Sequence, residues 1–258
     1  MKIRREILTV IIVGVVIVLV LALILPRVFR GKSQGTAHAR VAIVIDDWGY
    51  NLRYINLLKE ITVPLTISIL PNLKFSTQVA QAAKELNQEL IIHLPLEPET
   101  EARTIRLEKD TITCQMSAGE IIRIFEQARL SVPEAVGVSN HMGSRATKDR
   151  QTMSVIFDQL KKNKLFFLDN LVAPEKVCER LAKEKQIKFI ARDFFLDNRD
   201  DYAAIRANFA ELAEFALTNG QAVGILHAKP KSLEVLKEQI PLMQAKEIDF
   251  IFVSDLLK

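Results

Sequence analysis

Beyond residue 40 the chain alternates, with little interruption, between short apolar runs and longer amphipathic stretches. That alternation confines it to repeated strand and helix units around a mostly parallel sheet. The spacing predicts strands over 41–46, 65–70, 89–94, 135–140, 165–169, 187–191, 222–226 and 249–253. Helical periodicity falls over 75–86, 118–130, 148–161, 174–185, 202–217 and 232–244, with Ile121, Ile122, Phe125 and Ala128 on one face of the second. Ser117 and Glu120 have the spacing of a capping box at its start. Seven or eight such units suit a closed or partly closed (β/α) barrel better than an open doubly wound sheet. No glycine-rich phosphate loop follows any strand, so nucleotide binding of that kind has no support.

The first of these strands ends abruptly. In VAIVIDDWG, residues 41–49, five small or β-branched apolar residues run into Asp46 and Asp47. A buried parallel strand that stops in two carboxylates delivers them to the loop face where α/β folds carry their sites. Adjacent residues of a regular strand point to opposite faces, so the two can share a site only if the chain leaves the ladder, for which Trp48 and Gly49 provide a bend. The plainer alternative is a turn and a helix cap.

Charge divides unevenly along the chain. Residues 1–40 hold seven Lys/Arg and one Glu, whereas the remainder holds 28 basic and 30 acidic residues, net −2. A domain so balanced is no basic nucleic-acid binder. The uncharged apolar run at 7–26 is long enough to span a bilayer. The expected organisation is therefore a cytoplasmic tip and transmembrane anchor over 1–28, a polar linker over 29–40 carrying a solvated His38, and a folded domain over 41–258. The short basic lead places that domain outside the cytoplasm on a single-pass membrane protein, or in secreted form if the leader is cleaved. Cys114 and Cys178 have no metal-knuckle spacing and are taken as core residues.

Polar, metal-capable side chains recur at the carboxyl ends of the expected strands. His93 ends the third, His141 the fourth and Asp169 the fifth, while Asp193 follows the sixth and His227 the seventh. In a barrel all of these ends meet at one mouth. Singly, each histidine has a structural alternative as a hydrogen-bonded core residue, and Asn140, Asp169, Asn170 and Asp197 have one as turn formers. Glu97 and Glu99, in a Pro-rich loop, are expected to face water. Together the histidines suggest hydrolysis assisted by a divalent metal, with Asp47, His93 and His141 as ligands, Asp46 accepting the proton of water and His227 donating one to the leaving group. A His/His/Asp set suits Zn first and accommodates Co, Ni, Fe or Mn. A phosphoester hydrolase is the weaker alternative, since Arg145, Arg192 and Lys229 are the only cations near the mouth.

The segments VAIVIDDWG, IIHLPLEPE, SNHMGS, FFLDN, ARDFFLDN and GILHAKP resemble, in order, those of the divergent polysaccharide deacetylase family. The resemblance covers nearly all of 41–258. It implies a distorted (β/α) barrel and metal-dependent removal of acetyl groups from a polysaccharide such as a cell-wall glycan. It also implies Asp46 as general base, Asp47 and His93 as ligands, and His227 as the acid, oriented by Asp169 or Asp193, with Arg192 or Arg145 holding Asp46 ionised. The sequence departs from the superfamily's H-x-x-x-H pair, because the residue four after His93 is Glu97. His141 is then the expected replacement ligand. A binding module of the same fold, holding glycan or metal without turnover, is the alternative function.

Overall fold

The computed structural model describes residues 38–99 and 107–257. Its strands are β1 (Ala39–Trp48), β2 (Thr66–Ile69), β3 (Glu89–Leu96), β4 (Gly137–Met142), β5 (Phe166–Asp169), β6 (Phe189–Ala191), β7 (Phe194–Phe195), β8 (Gln221–His227) and β9 (Ile248–Ile251). The α-helices among the described residues are α1 (Ile55–Lys59), α2 (Ser76–Glu85), α3 (Ala118–Ser131), α4 (Arg150–Asn163), α5 (Val177–Lys185), α6 (Tyr202–Asn219) and α7 (Pro230–Gln244). None is long and apolar enough to cross a membrane. The span expected at 7–26, and the linker as far as residue 37, lie outside the described residues.

All strand pairs are parallel, in the order β6-β5-β4-β3-β2-β1-β8-β7. The two ends of that order, β6 and β7, are consecutive in the chain. Across the break, the Arg192 amide donates to Asp169 O at 3.1 Å and the Asp193 amide to Val223 O at 2.9 Å. One stretch of chain thus pairs with β5 on one side and β8 on the other, and the barrel is distorted at this seam. The break is also why the sequence shows a single strand at 187–191 and none at β7, which is only two residues long. A second irregularity lies beside β1, where β9 pairs with Ala39–Ala42 and β2 with Val44–Trp48. β1 starts two residues before the expected strand, and His38, expected to be solvated in the linker, contacts Asp249 of β9 at 3.0 Å.

Two apolar clusters follow strand alternation. Ala42, Val44, Ile91, Phe166, Leu168, Val223 and Ile225 fill the barrel interior, and Val41, Ile43, Ile45, Ile92, Leu94, Val138 and Phe167 face the helices. Every one of the β1 residues Val41–Ile45 is fully buried, which is why this strand reads as an unbroken apolar run. The helices end where their sequences dictate. Ser117 and Glu120 form the expected capping box on α3, Asp149 accepts from the Thr152 amide to cap α4, and Asp201 accepts from the Ala204 amide to cap α6. Both cysteines are unpaired, Cys178 in the core and Cys114 partly buried against it.

Candidate active site

Alternation also decides which polar residues reach the mouth. Asp46 continues the inward face of Ala42 and Val44, His93 that of Ile91, and His227 that of Val223 and Ile225. Asp47 has the opposite parity, and the backbone corrects it. The register of β1 against β2 shifts between Ile45 and Trp48, and Asp47 adopts φ 64°, the left-handed region. The turn that follows depends on Gly49, at φ 120°, where a Cβ would lie 3.0 Å from Leu70 O. A left-handed aspartate costs free energy, and strain of this kind persists where the surroundings enforce it.

The consequence is a cluster. Asp47 Oδ1 lies 3.1 Å from His141 Nδ1 and 3.3 Å from His93 Nε2. One ligand atom from each of these three residues falls within 4.8 Å of the others. Asp47 Oδ1 is buried and makes no well-aligned hydrogen bond to either ring, although both ring nitrogens lie close to it. Burial pushes the Asp47 carboxyl upward, but the His141 and His93 rings more than offset it and hold it far below the usual carboxylate range. An orphaned carboxylate oxygen facing two imidazole nitrogens is a donor set that fits a divalent ion of the Zn type, with positions left open. His93 uses its other nitrogen, Nδ1, at 2.8 Å from Ser139 Oγ, and Ser139 Oγ lies 2.9 Å from Ser68 Oγ. That pair fixes the ring with Nε2 toward the cluster.

Asp46 and His227 flank the cluster. Asp46 is 1 % exposed, its Oδ2 accepts from Asn170 Nδ2 at 2.8 Å and stands 3.6 Å from His93 Nε2, and its Oδ1 has no partner. Asn170 is itself set by its amide donating to Asn140 Oδ1 at 2.9 Å. His227 Nε2 is 3.7 Å from Asp47 Oδ2, and its Nδ1 is 3.0 Å from Asp197 Oδ1. Asp197 Oδ2 accepts from the His227 amide at 2.9 Å and from Ser232 Oγ at 2.6 Å. Burial opposes a charge on His227, yet Asp197 prevails and the imidazole is raised above its ordinary value. Burial likewise opposes the Asp197 carboxylate, and the His227 contacts overcome it, so that its pKa is lowered.

Three expectations change here. The carboxylate that orients His227 is Asp197, not Asp169 or Asp193. Asp169 follows the inward Leu168 and so faces outward, where it accepts from the Leu171 amide at 2.9 Å and lines an outer cavity of about 660 Å3 with Leu171, Pro174 and Phe189. Asp193 sits in the seam, accepting from the Val223 amide at 2.8 Å. Arg145 does not attend Asp46. Its Nη1 donates to Glu97 Oε1 at 2.7 Å, and Glu97 Oε2 accepts from the Cys114 amide at 2.7 Å. Glu97 is therefore not solvated but a tie between three segments, while Glu99 remains exposed beside Lys148. Arg192 reaches Asp46 only indirectly, donating from Nε to Asn170 O at 2.5 Å and lying 5.0 Å from the Phe195 ring.

Carboxylates and imidazoles gathered at the carboxyl rim of a parallel α/β barrel stand where such barrels carry their catalytic sites. The family model for divergent polysaccharide deacetylases matches residues 43–257, and the chain belongs to that family. It is 30% identical over 205 residues to an uncharacterized protein of Haemophilus influenzae, covering 80% of this chain and 72% of that one. It is 33% identical over 208 residues to the uncharacterized protein YibQ of Escherichia coli, covering 81% of this chain and 64% of that relative, just under two thirds of its length. Among solved structures, an uncharacterized protein of Agrobacterium tumefaciens superposes with a TM-score of 0.80 at 23% identity, covering 86% of this chain and 91% of that one. The catalytic domain of a peptidoglycan N-acetylglucosamine deacetylase from Eubacterium rectale superposes with a TM-score of 0.52 at 13% identity, covering 84% and 89%, a likeness of fold.

Proposed function

We propose that the domain is a metal-dependent carbohydrate deacetylase that removes acetyl groups, as amide or ester, from an amino-sugar polymer of the cell envelope. The observation that carries this is the gathering of Asp47, His93 and His141 within ligand reach, flanked by a buried Asp46 with a free oxygen and by an imidazole held by Asp197. A divalent ion, Zn first and Co, Ni, Fe or Mn as alternatives, would be held by those three residues and would acidify water and polarise the acetyl carbonyl.

The chain's own groups supply the proton traffic. Asp46 Oδ1, buried and unpartnered, takes a proton from the attacking water as the oxygen–carbon bond forms. Asn170 holds the other oxygen, so the base presents one fixed lone-pair face. His227, whose pKa the contact with Asp197 raises, gives its Nε2 proton to the departing nitrogen as the carbon–nitrogen bond breaks, and acetate and a free amine result. The apolar run over 7–26 supports placement of the domain on the outer face of a membrane, where a cell-wall glycan is within reach.

The test is acetate release from N-acetylglucosamine oligomers by the full-length protein with added Zn, Co or Mn. Release that falls about 10²–10⁴-fold in Asp46→Asn supports the reading. No release from wild type, or equal release from the variant, overturns it. Saccharide binding that survives Asp46→Asn without turnover establishes the binding module instead.

A further inference from the structure

Beside the cluster lies a recess of about 160 Å3, lined by Asp47, Trp48, Tyr50, Tyr54, His227 and Lys229. Its surroundings are acidic. Asp47 lines it, with Asp46 next to it in the chain, and Tyr50, also in its lining, donates from Oη to Glu108 Oε1 at 2.5 Å. A polyanion would be repelled from such a place unless a cation received it.

Of the three cations expected near the mouth, two are committed. Arg145 is bound to Glu97, and Arg192 is spent on Asn170 O and the Phe195 ring. Lys229 is exposed, lines the recess and has no carboxylate within ion-pair distance among the described residues. It is held on a rigid corner. Its amide donates to His227 O at 2.8 Å, and its carbonyl accepts from the Leu233 amide at 3.1 Å as α7 begins. Tyr50 and Tyr54 supply aromatic surface against which the C–H face of a sugar can lose water.

We propose that Lys229 reads a carboxylate on the sugar adjoining the acetylated one, so that the substrate is an acidic glycan. This rests on the deacetylase reading and narrows it. Trp48 is the one tryptophan of the chain and lines the recess, so its fluorescence reports occupancy directly. The probes are oligomers in which N-acetylglucosamine alternates with a uronic acid, and the same oligomers with every carboxylate methyl-esterified. Titrated into the full-length protein, the acid is expected to bind about five- to tenfold tighter than the ester, with the preference shrinking as salt rises. In Lys229→Met the ratio falls to about one, and in Lys229→Glu it inverts. Equal affinities in wild type, an acid preference undiminished in Lys229→Met, or no binding of either oligomer overturns the proposal. Acetate measured in the same samples separates the two ideas. Release without acid preference removes only the role of Lys229, and acid-selective binding without release removes only the deacetylase.

Discussion

The two ends of the barrel bury carboxylates in opposite ways. At the amino end, Glu89 Oε1 accepts from Thr66 Oγ1 at 2.8 Å and from the Ser254 amide at 3.3 Å, and Thr66 Oγ1 accepts from the Val253 amide at 3.2 Å. These bonds pin the chain after β9 across the barrel floor, where Val253, Leu256 and Leu257 join the interior cluster. At the carboxyl end, Asp46 and Asp47 each keep a buried oxygen without a partner, and the backbone at Asp47 is left-handed. A satisfied carboxylate holds structure together. An unsatisfied one, kept at a cost of about 1–3 kcal/mol per group, is set aside for a ligand.

The strongest way to break this contrast is to remove a rim ligand. His141→Ala is expected to lower affinity for Zn or Co by more than the 10–100-fold typical of losing an outer partner, while the fold persists because His141 lies at a strand end. Metal content of the purified variant checks it, and a full equivalent of ion retained would mean that Asp47 and His93 suffice with another ligand. Next is Asp197→Asn, expected to slow acetate release about 10–100-fold. Because Asp197 raises His227, its loss moves the alkaline limb of the kcat/KM profile to lower pH. An unmoved limb would show that His227 is not the acid. Glu97→Ala sharpens the contrast from between, since this carboxylate lies near the rim yet is fully occupied by Arg145 and Cys114. Its loss should weaken metal binding by about tenfold or less, through the segment after His141, and Glu97→Gln should recover part of it. Metal titrations of the two variants decide, and a loss as large as that of His141→Ala would make Glu97 a ligand after all.

The eight expected strands and six expected helices are all present, because period-2 and period-3.6 apolar patterns are local and survive without tertiary knowledge. The residues that meet at the mouth were legible for a related reason, since each ends an apolar run. What was hidden depends on facing. Asp169 and Asn170 are neighbours, and only the inward parity of Phe166 and Leu168 shows that Asn170, not Asp169, turns toward Asp46. Applying that parity rule to the apolar residues would have found it. Asp197 could not be found so, because the seam between β6 and β7 resets the alternation two residues before Phe195. Nor does composition show that Glu97 is tied down, since its partners Cys114 and Arg145 are 17 and 48 residues away.

The smallest effect concerns the floor, and its sign opposes that of the rim. Burial raises Glu89 above its unfolded value of 4.5, against the hydrogen bonds from Ser254 and Thr66. Below that value the residue is protonated whether folded or unfolded and adds no pH dependence. As pH rises from 4.5 through the raised folded value, the unfolded chain ionises first and the fold loses stability. The rim pair runs the other way in acid. The contribution of Asp197 is present above its unfolded 3.8 and lost as pH falls through its lowered folded value, and that of His227 is present below 6.5 and lost as pH rises through its raised one. Glu89→Gln is therefore expected to match wild type near pH 4 and to exceed it by about 1 kcal/mol at neutral pH, a melting shift of about 2–4 °C. Thermal melts of both proteins across that range measure the gap. A gap that stays constant with pH, or widens toward acid, would mean that the Glu89 network is held in its ionised form and that the floor resembles the rim.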